Sequence, residues 1–173
     1  MSSRLGVKDL HSAFVCDLED RVTSFSDVEE KPIDISLLPP MRPVRAYLYN
    51  LTKPPGGRSE NEYKIQIILP GQDRGTRGNF DAGDESHFIM LGGFESTFGV
   101  WVLWDAYIYH DFSYSRNVQV QAATLIAAAS AGIGRQTRET KNGSETVIAC
   151  SRRNLILAVQ LRQTTWAKDS ARR

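Results

Sequence analysis

The sequence predicts a mainly β fold with helices (α+β), in which about seven short strands and one well-defined helix form a mostly antiparallel barrel or folded sheet after an N-terminal helix. Two successive patterns of apolar residues predict this class. Apolar residues recur with a helical period over the first 25 residues, and after residue 43 the period becomes two, as in half-buried strands. The composition, 41% hydrophobic and 24% charged over 173 residues, is that of a folded globular domain.

The first 40 residues predict an acidic helical leader and a Pro-rich linker. Apolar side chains from Val7 to Phe25 recur at three- and four-residue steps, which indicates one amphipathic helix ending near residues 24–27. Prolines between Pro32 and Pro43 favour extended chain, so residues 30–43 are interpreted as a linker. We therefore predict a leader with its linker over residues 1–40 and a β-barrel-like domain over residues 41–173.

Seven segments of the body predict strands from alternation and from their β-branched and aromatic residues. They span residues 44–51, 62–69, 87–94, 98–104, 116–120, 145–150 and 154–161. Residues 122–131 are rich in helix formers, and Gly132 would end a helix there. Alternate strand positions predict a shared core of Tyr63, Ile65, Ile67, Val100, Val102, Trp104, Leu155, Leu157 and Val159.

Charge is divided unevenly along the chain. Residues 1–40 carry four basic and eight acidic side chains, whereas residues 41–173 carry 17 basic, 13 of them Arg, and 12 acidic side chains. Because guanidinium groups bind phosphates and guanine edges bidentately, nucleic acid is a candidate partner; an Arg-rich surface with internal ion pairs explains the same imbalance. Two distant cysteines and the lack of a signal-like or membrane-spanning stretch predict a cytoplasmic protein without a membrane partner.

Basic and amide side chains are concentrated in the loops that flank the predicted strands. Residues of this kind contact base edges or phosphates in DNA complexes. The candidate DNA-binding residues are Lys53, Arg58, Glu60, Asn61, Lys64, Arg74, Arg77, Asn79, Ser113, Tyr114, Ser115, Arg116, Asn117, Gln119, Arg135 and Arg138. Among them, Arg116 and Asn117 are predicted to read bases from an arm tip. Arg135 and Arg138 are interpreted as phosphate contacts or solvated charges.

One catalytic pattern competes with this interpretation. Glu62 and Lys64 form an E-x-K tripeptide, in which a metal-dependent nuclease uses the carboxylate to hold Mg²⁺ and the lysine to assist water, with Asp34 as the upstream acid. Here the tripeptide begins an apolar strand, whereas in that nuclease class it ends one. Strand-edge charges are the simpler interpretation. No nucleotide-phosphate loop or zinc-ligand spacing is present, so we expect no cofactor, with Mg²⁺ only if the nuclease alternative holds.

Several motifs together resemble a known family. They are YLYNLT from Tyr47, PPGGR ending at Arg58, EYKIQ from Glu62, PGQ from Pro70, GNF from Gly78, WD at Trp104 and FSYSRNVQV from Phe112. Over about residues 44–162 the chain is similar to the B-three-like DNA-binding domain of bacterial restriction endonucleases. That resemblance implies a seven-stranded open pseudobarrel of the plant transcription-factor type.

The same resemblance implies a function. It predicts sequence-specific recognition of double-stranded DNA in a bacterial restriction–modification system, with an N-arm (residues 53–61) and a C-arm (residues 112–119) that read the major groove. Such modules accompany a nuclease domain or subunit, for which this chain has no obvious room. We therefore expect no independent catalysis and interpret the chain as a fragment, a recognition subunit or part of a larger enzyme. A protein-interaction module, with the leader helix as the contact, is a further alternative.

Overall fold

The computed structural model describes residues 3–53, 60–80 and 85–171, and contains three α-helices and nine strands in these ranges. The helices are α1 (Val7–Asp17), α2 (Ala122–Ala131) and α3 (Leu155–Ser170). The strands are β1 (Val22–Phe25), β2 (Ile33–Leu37), β3 (Val44–Asn50), β4 (Glu62–Ile67), β5 (Phe88–Glu95), β6 (Val100–Trp104), β7 (Arg116–Gln121), β8 (Ile133–Thr140) and β9 (Gly143–Ser151). The predicted α+β class is confirmed.

Seven strands form one open sheet in the order β1-β2-β3-β5-β6-β9-β8, and β4 and β7 form a separate two-stranded ribbon. Every pairing is antiparallel except that of β3 with β5. All residues of β5 and β6 are buried, as expected for central strands that are covered on both faces. The sheet does not close into a barrel.

Two hydrophobic clusters lie on opposite faces of this sheet. The ribbon and α2 contribute to one cluster, in which Ile65, Val118 and Leu125 pack with Val102 and Trp104 of β6. The helices α1 and α3 contribute to the other cluster. A Cβ at Gly93 of β5 would lie 2.7 Å from Ile65 Cγ2, so glycine at this position lets the ribbon pack closely on the sheet.

The second cluster joins the N-terminal segment to the body. Leu10 and Phe14 of α1 pack with Trp101 of β6 and with Leu155 of α3. Asp17, at the end of α1, accepts hydrogen bonds from Trp101 Nε1 at 2.8 Å and from Arg152 Nε at 2.9 Å. The acidic leader is thus tied to the sheet by both apolar and charged contacts. No helix in the described ranges is long and apolar enough to cross a membrane.

The predicted end of the leader helix and the predicted linker are both wrong. The helix ends at Asp17, and residues up to Phe25 form a 3-10 turn and β1. The segment interpreted as a linker contains β2, whose residues alternate between buried and half-buried positions and pair with β3. Its prolines lie before and after the strand, where no sheet hydrogen bond is needed from their nitrogens.

The predicted strand over residues 154–161 is wrong, because this segment begins α3. Leu155, Ala158, Val159 and Arg162 are its buried residues, and their spacing of three and four is helical. Leu157, predicted to lie in the core, is 44% exposed, and Leu155 and Val159 belong to the opposite cluster from Ile65. The strand β8 was not predicted, since its residues are mostly polar. The other six predicted strands and helix α2 are confirmed.

Candidate nucleic-acid interface

The two faces of the β4–β7 ribbon differ in chemistry. Tyr63, Ile65, Val118 and Val120 pair across the ribbon and turn toward the core. The alternate positions form three outward cross-strand pairs, namely Glu62 with Gln121, Lys64 with Gln119, and Gln66 with Asn117. We call these six residues the ribbon face. All four of its amides are exposed, and its two charged residues are half-buried.

The backbone of the ribbon is fixed, whereas the side chains of the ribbon face are not engaged. Trp104 Nε1 donates to the Gln119 carbonyl at 3.1 Å, and Arg138 Nη1 donates to the same oxygen at 2.6 Å. Within the described ranges, no side chain of the ribbon face makes a hydrogen bond or an ion pair. Donors and acceptors held on a rigid strand and left without partners are suited to bind a polar ligand.

A basic groove of about 470 Å³ runs beside the ribbon face and shares Lys64 and Gln66 with it. Lys53 and Arg4 also line it, and its described lining residues include no carboxylate. Two backbone hydrogen bonds of 2.9 Å join Thr52 to Lys64, so the end of β3 continues into the ribbon. The groove therefore extends the polar surface of the ribbon with positive charge.

The side chain of Asn50 holds the N-terminal segment at this groove. Asn50 at the end of β3 accepts from Leu5 N and donates to Leu5 O, both at 2.9 Å, which fixes neighbouring Arg4 at the groove wall. Tyr49 also lines the groove, and Lys31 Nζ lies 3.5 Å from the centre of its ring. Burial lowers the pKa of Lys31 to about 8. Four cations, Arg4, Lys31, Lys53 and Lys64, are thus gathered at this end of the ribbon.

The predicted N-arm is described only at its ends. Arg58 lies outside the described residues. Lys53 and Thr52 form one end at the groove, while Glu60 and Asn61 are exposed at the other, where Asn61 O accepts from Ala122 N at 2.6 Å. The structure therefore brings both described ends of this segment to the ribbon.

Arg116 and Asn117, predicted to read bases together, lie on opposite faces of β7. Asn117 belongs to the ribbon face, whereas Arg116 pairs with Ile67 and is in phase with inward Val118 and Val120. It lines a small cavity together with Arg77 and Ser113, two other predicted residues. Because consecutive strand residues point to opposite sides, Arg116 and Asn117 do not share a face of β7.

The loop after β4, which carries the predicted residues Arg74, Arg77 and Asn79, joins the segment before β7. Gly78 and Phe112 exchange two backbone hydrogen bonds, of 2.8 and 3.0 Å, and Arg77 Nε donates to Asp111 Oδ1 at 3.0 Å. The Asn79 side chain accepts from Asp111 N at 2.7 Å. Arg74 is exposed in a turn nearby, and Tyr114 and Ser115 are half-buried in the turn that enters β7. The predicted C-arm is therefore a braced turn and a strand.

Arg135 and Arg138 also differ, although both were predicted to be phosphate contacts or solvated charges. Arg135 is exposed, while Arg138 Nε lies 3.2 Å from Oε1 of the buried Glu145. Tyr109 OH donates to the same Oε1 at 2.7 Å, and burial raises the pKa values of both Glu145 and Tyr109. Arg138 is thus a partner of a buried carboxylate rather than a solvated charge.

The residues of the nuclease alternative do not form a metal site. Asp34 on β2 accepts two hydrogen bonds from Arg45 on β3, of 2.8 and 3.0 Å. Glu62 and Lys64 lie on the ribbon face, opposite Gln121 and Gln119. In the part of the chain that the structure describes, no three His, Cys, Asp or Glu side chains are grouped to hold a metal. The described donor set does not fit the Mg²⁺ site that this alternative requires.

Sequence reasoning missed Gln66, Gln121 and Arg4. The first two follow from the alternation that already predicted β4 and β7, since Gln66 continues the row of Lys64 and Gln121 that of Gln119. Arg4 has no such signal, because its position depends on the contact between Asn50 and Leu5. Lys141 and His110, which line the cavity of Arg116, also depend on tertiary contacts.

A family model described as methylase-associated X1 matches residues 42–159. The matched segment includes both strands of the ribbon, the cavity at Arg116 and the groove residues from Tyr49 to Gln66. No curated protein and no solved structure matches the chain.

Proposed function

Because the chain belongs to the methylase-associated X1 family, we propose that it recognises specific double-stranded DNA sequences within a bacterial restriction–modification system, without catalysis of its own. The association with methylases supports a role in such a system. The DNA-binding part of the proposal is carried by one observation: the ribbon face presents unpartnered amides and a lysine next to a basic groove. The resemblance to B-three-like domains supports it independently.

The dimensions of the ribbon suit a DNA groove. The major groove is about 12 Å wide and admits a two-stranded β-ribbon. Outward pairs on antiparallel strands recur about every 6.8 Å, which is roughly twice the 3.4 Å rise per base pair. Successive pairs, such as Lys64 with Gln119 and Gln66 with Asn117, would therefore meet bases about two steps apart.

The chemistry of the ribbon face suits base edges. Asn or Gln binds adenine bidentately, Lys donates to guanine, and a carboxylate such as that of Glu62 accepts from cytosine. Amides carry no net charge and add little to non-specific binding, so their value lies in discrimination. The two groove cations outside the ribbon face, Arg4 and Lys53, would hold phosphates and set the register of the duplex.

Selection of binding sites from a randomised duplex pool tests the proposal. Asn117→Ala should weaken the selected duplex by about 1–3 kcal/mol and a scrambled duplex hardly at all, since the amide reads a base. Gln160→Ala on α3, which removes an amide far from the ribbon, is the matched control and should change neither affinity. Equal affinity for every duplex in the pool would refute specific recognition.

The absence of catalysis is tested separately. Plasmid DNA incubated with the protein and Mg²⁺ or Mn²⁺ should remain intact. Cleavage that Glu62→Ala abolishes would overturn this part of the proposal and restore the nuclease alternative.

A further inference from the structure

A small cavity lies at the start of β7. Cationic and hydrogen-bonding side chains line it, and none of them belongs to the ribbon face. It has a volume of about 120 Å³. Its polar wall consists of Arg77, His110, Asp111, Ser113, Arg116, Lys141 and Asn142. We infer that this cavity binds a phosphate group.

The orientation of Arg116 is the first argument. Its place opposite Ile67, in phase with the buried Val118, turns a guanidinium inward at the end of an otherwise apolar strand face. Arg116 Nε is buried and has no hydrogen-bond partner in the described structure. Nearly all buried donors in folded proteins are satisfied by protein, water or a bound ion, and charged donors are the most costly to leave without one.

The charge of the wall is the second argument. Arg77, Arg116 and Lys141 bring three positive charges, and Asp111 brings one negative charge that already accepts from Arg77 Nε at 3.0 Å. The carboxylate of Glu145 lies behind Tyr109, whose hydroxyl donates to it at 2.7 Å. Among the described residues, the wall therefore carries more positive than negative charge and is rich in N–H donors, as phosphate sites are.

The size of the cavity limits the ligand. Its volume of about 120 Å³ leaves room for a small group such as a tetrahedral oxyanion. The phosphate group must therefore be free inorganic phosphate, or be presented from outside the cavity by a small molecule, a DNA end or a DNA backbone.

Thermal unfolding in phosphate and in chloride of equal ionic strength tests the site without any DNA. Phosphate should raise the Tm saturably and broaden its own ³¹P resonance on binding. Lys141→Gln, at an exposed position, should weaken phosphate binding by about ten- to hundredfold, and so should Arg116→Gln. Arg153→Gln, at an exposed position that does not line the cavity, should leave binding unchanged. A phosphate effect that is unsaturable, or equal in Lys141→Gln and the parent protein, would overturn the inference.

Competition by duplexes then identifies the source of the phosphate. Displacement of phosphate by a duplex with hydroxyl ends indicates a backbone phosphodiester, and displacement by a 5′-phosphorylated duplex alone indicates a DNA end. Phosphate binding that neither duplex affects indicates a small phosphorylated ligand. A protein that binds phosphate but no duplex would refute the proposed function and leave this site standing, so the two failures are distinguishable.

Discussion

The two layers that cover the central sheet use their polar side chains in different ways. On the helical layer, Asp17 accepts from both Trp101 and Arg152, and His11 Nδ1 donates to the Val28 carbonyl at 2.8 Å. On the ribbon layer, the outward side chains of β4 and β7 have no partner among the described residues. Polar groups that bond within the protein stabilise the fold, whereas those left without a partner on a rigid strand are free to bind a ligand.

The largest expected effect tests how firmly the ribbon is packed. Ile67→Ala should lower the free energy of unfolding by about 2–5 kcal/mol, because Ile67 is fully buried between the ribbon and the sheet. Leu157→Ala on α3, where the side chain is 44% exposed, should cost within about 0.5 kcal/mol. Denaturant unfolding measures both. Equal losses would mean that the helical layer buries Leu157 after all.

The next effect separates two arginines of one strand. Arg138→Ala should cost about 1–3 kcal/mol, since it removes a partner of the buried Glu145 carboxylate, whereas Arg135→Ala should cost within about 0.5 kcal/mol. Unfolding at neutral pH is the measurement. A loss of stability in Arg135→Ala but not in Arg138→Ala would contradict the role of Arg138 as a partner of Glu145.

Lysines of the groove should act on affinity and not on stability. Lys53→Ala should weaken selected and scrambled duplexes alike and reduce the slope of log K against log salt by about one, as the loss of one phosphate contact does. Lys168→Ala, in the last turn of α3 on the helical layer, is the control and should leave the slope unchanged. A change in the ratio between the two duplexes would instead indicate that Lys53 reads a base.

The smallest effect concerns Lys31. Burial lowers the pKa of this residue from 10.5 to about 8. Between pH 8 and 10.5 the unfolded chain holds a proton at this site that the folded chain has lost, so stability should rise with pH over that window. The gain should be on the order of 1 kcal/mol after screening by solvent. It should vanish in Lys31→Met. A fall in stability over the same window, absent from that variant, would contradict the assignment.

Sequence alone predicted the strands whose apolar residues alternate, and it predicted α2 from composition. The prediction failed at β2, because the prolines on either side of it indicated a linker. The pairing of β2 with β3 is visible only in the structure. The prediction also failed at α3, where Leu155, Leu157 and Val159 alternate like a strand while the buried set follows helical spacing. Short apolar segments are ambiguous between the two periods.

For the candidate interface, the sequence identified residue types better than it identified their directions. Lys64, Asn117 and Gln119 were predicted and lie on the ribbon face, but Arg116 was assigned with them and lies on the other side. Strand phase separates these residues once the register is known. The groove formed by Arg4 and Lys53 depends on contacts between distant segments, for which a single sequence carries no signal.

The separation of the two ribbon strands along the chain also has a consequence for folding. Its strand β4 ends at Ile67 and its strand β7 begins at Arg116, with β5 and β6 of the main sheet between them in the chain. Pairing of segments so far apart requires closure of a long loop, which is slow compared with formation of a local hairpin such as β8 with β9. The ribbon face therefore forms only once this loop has closed, so partly folded chains that contain only local pairs such as β8 with β9 would lack it.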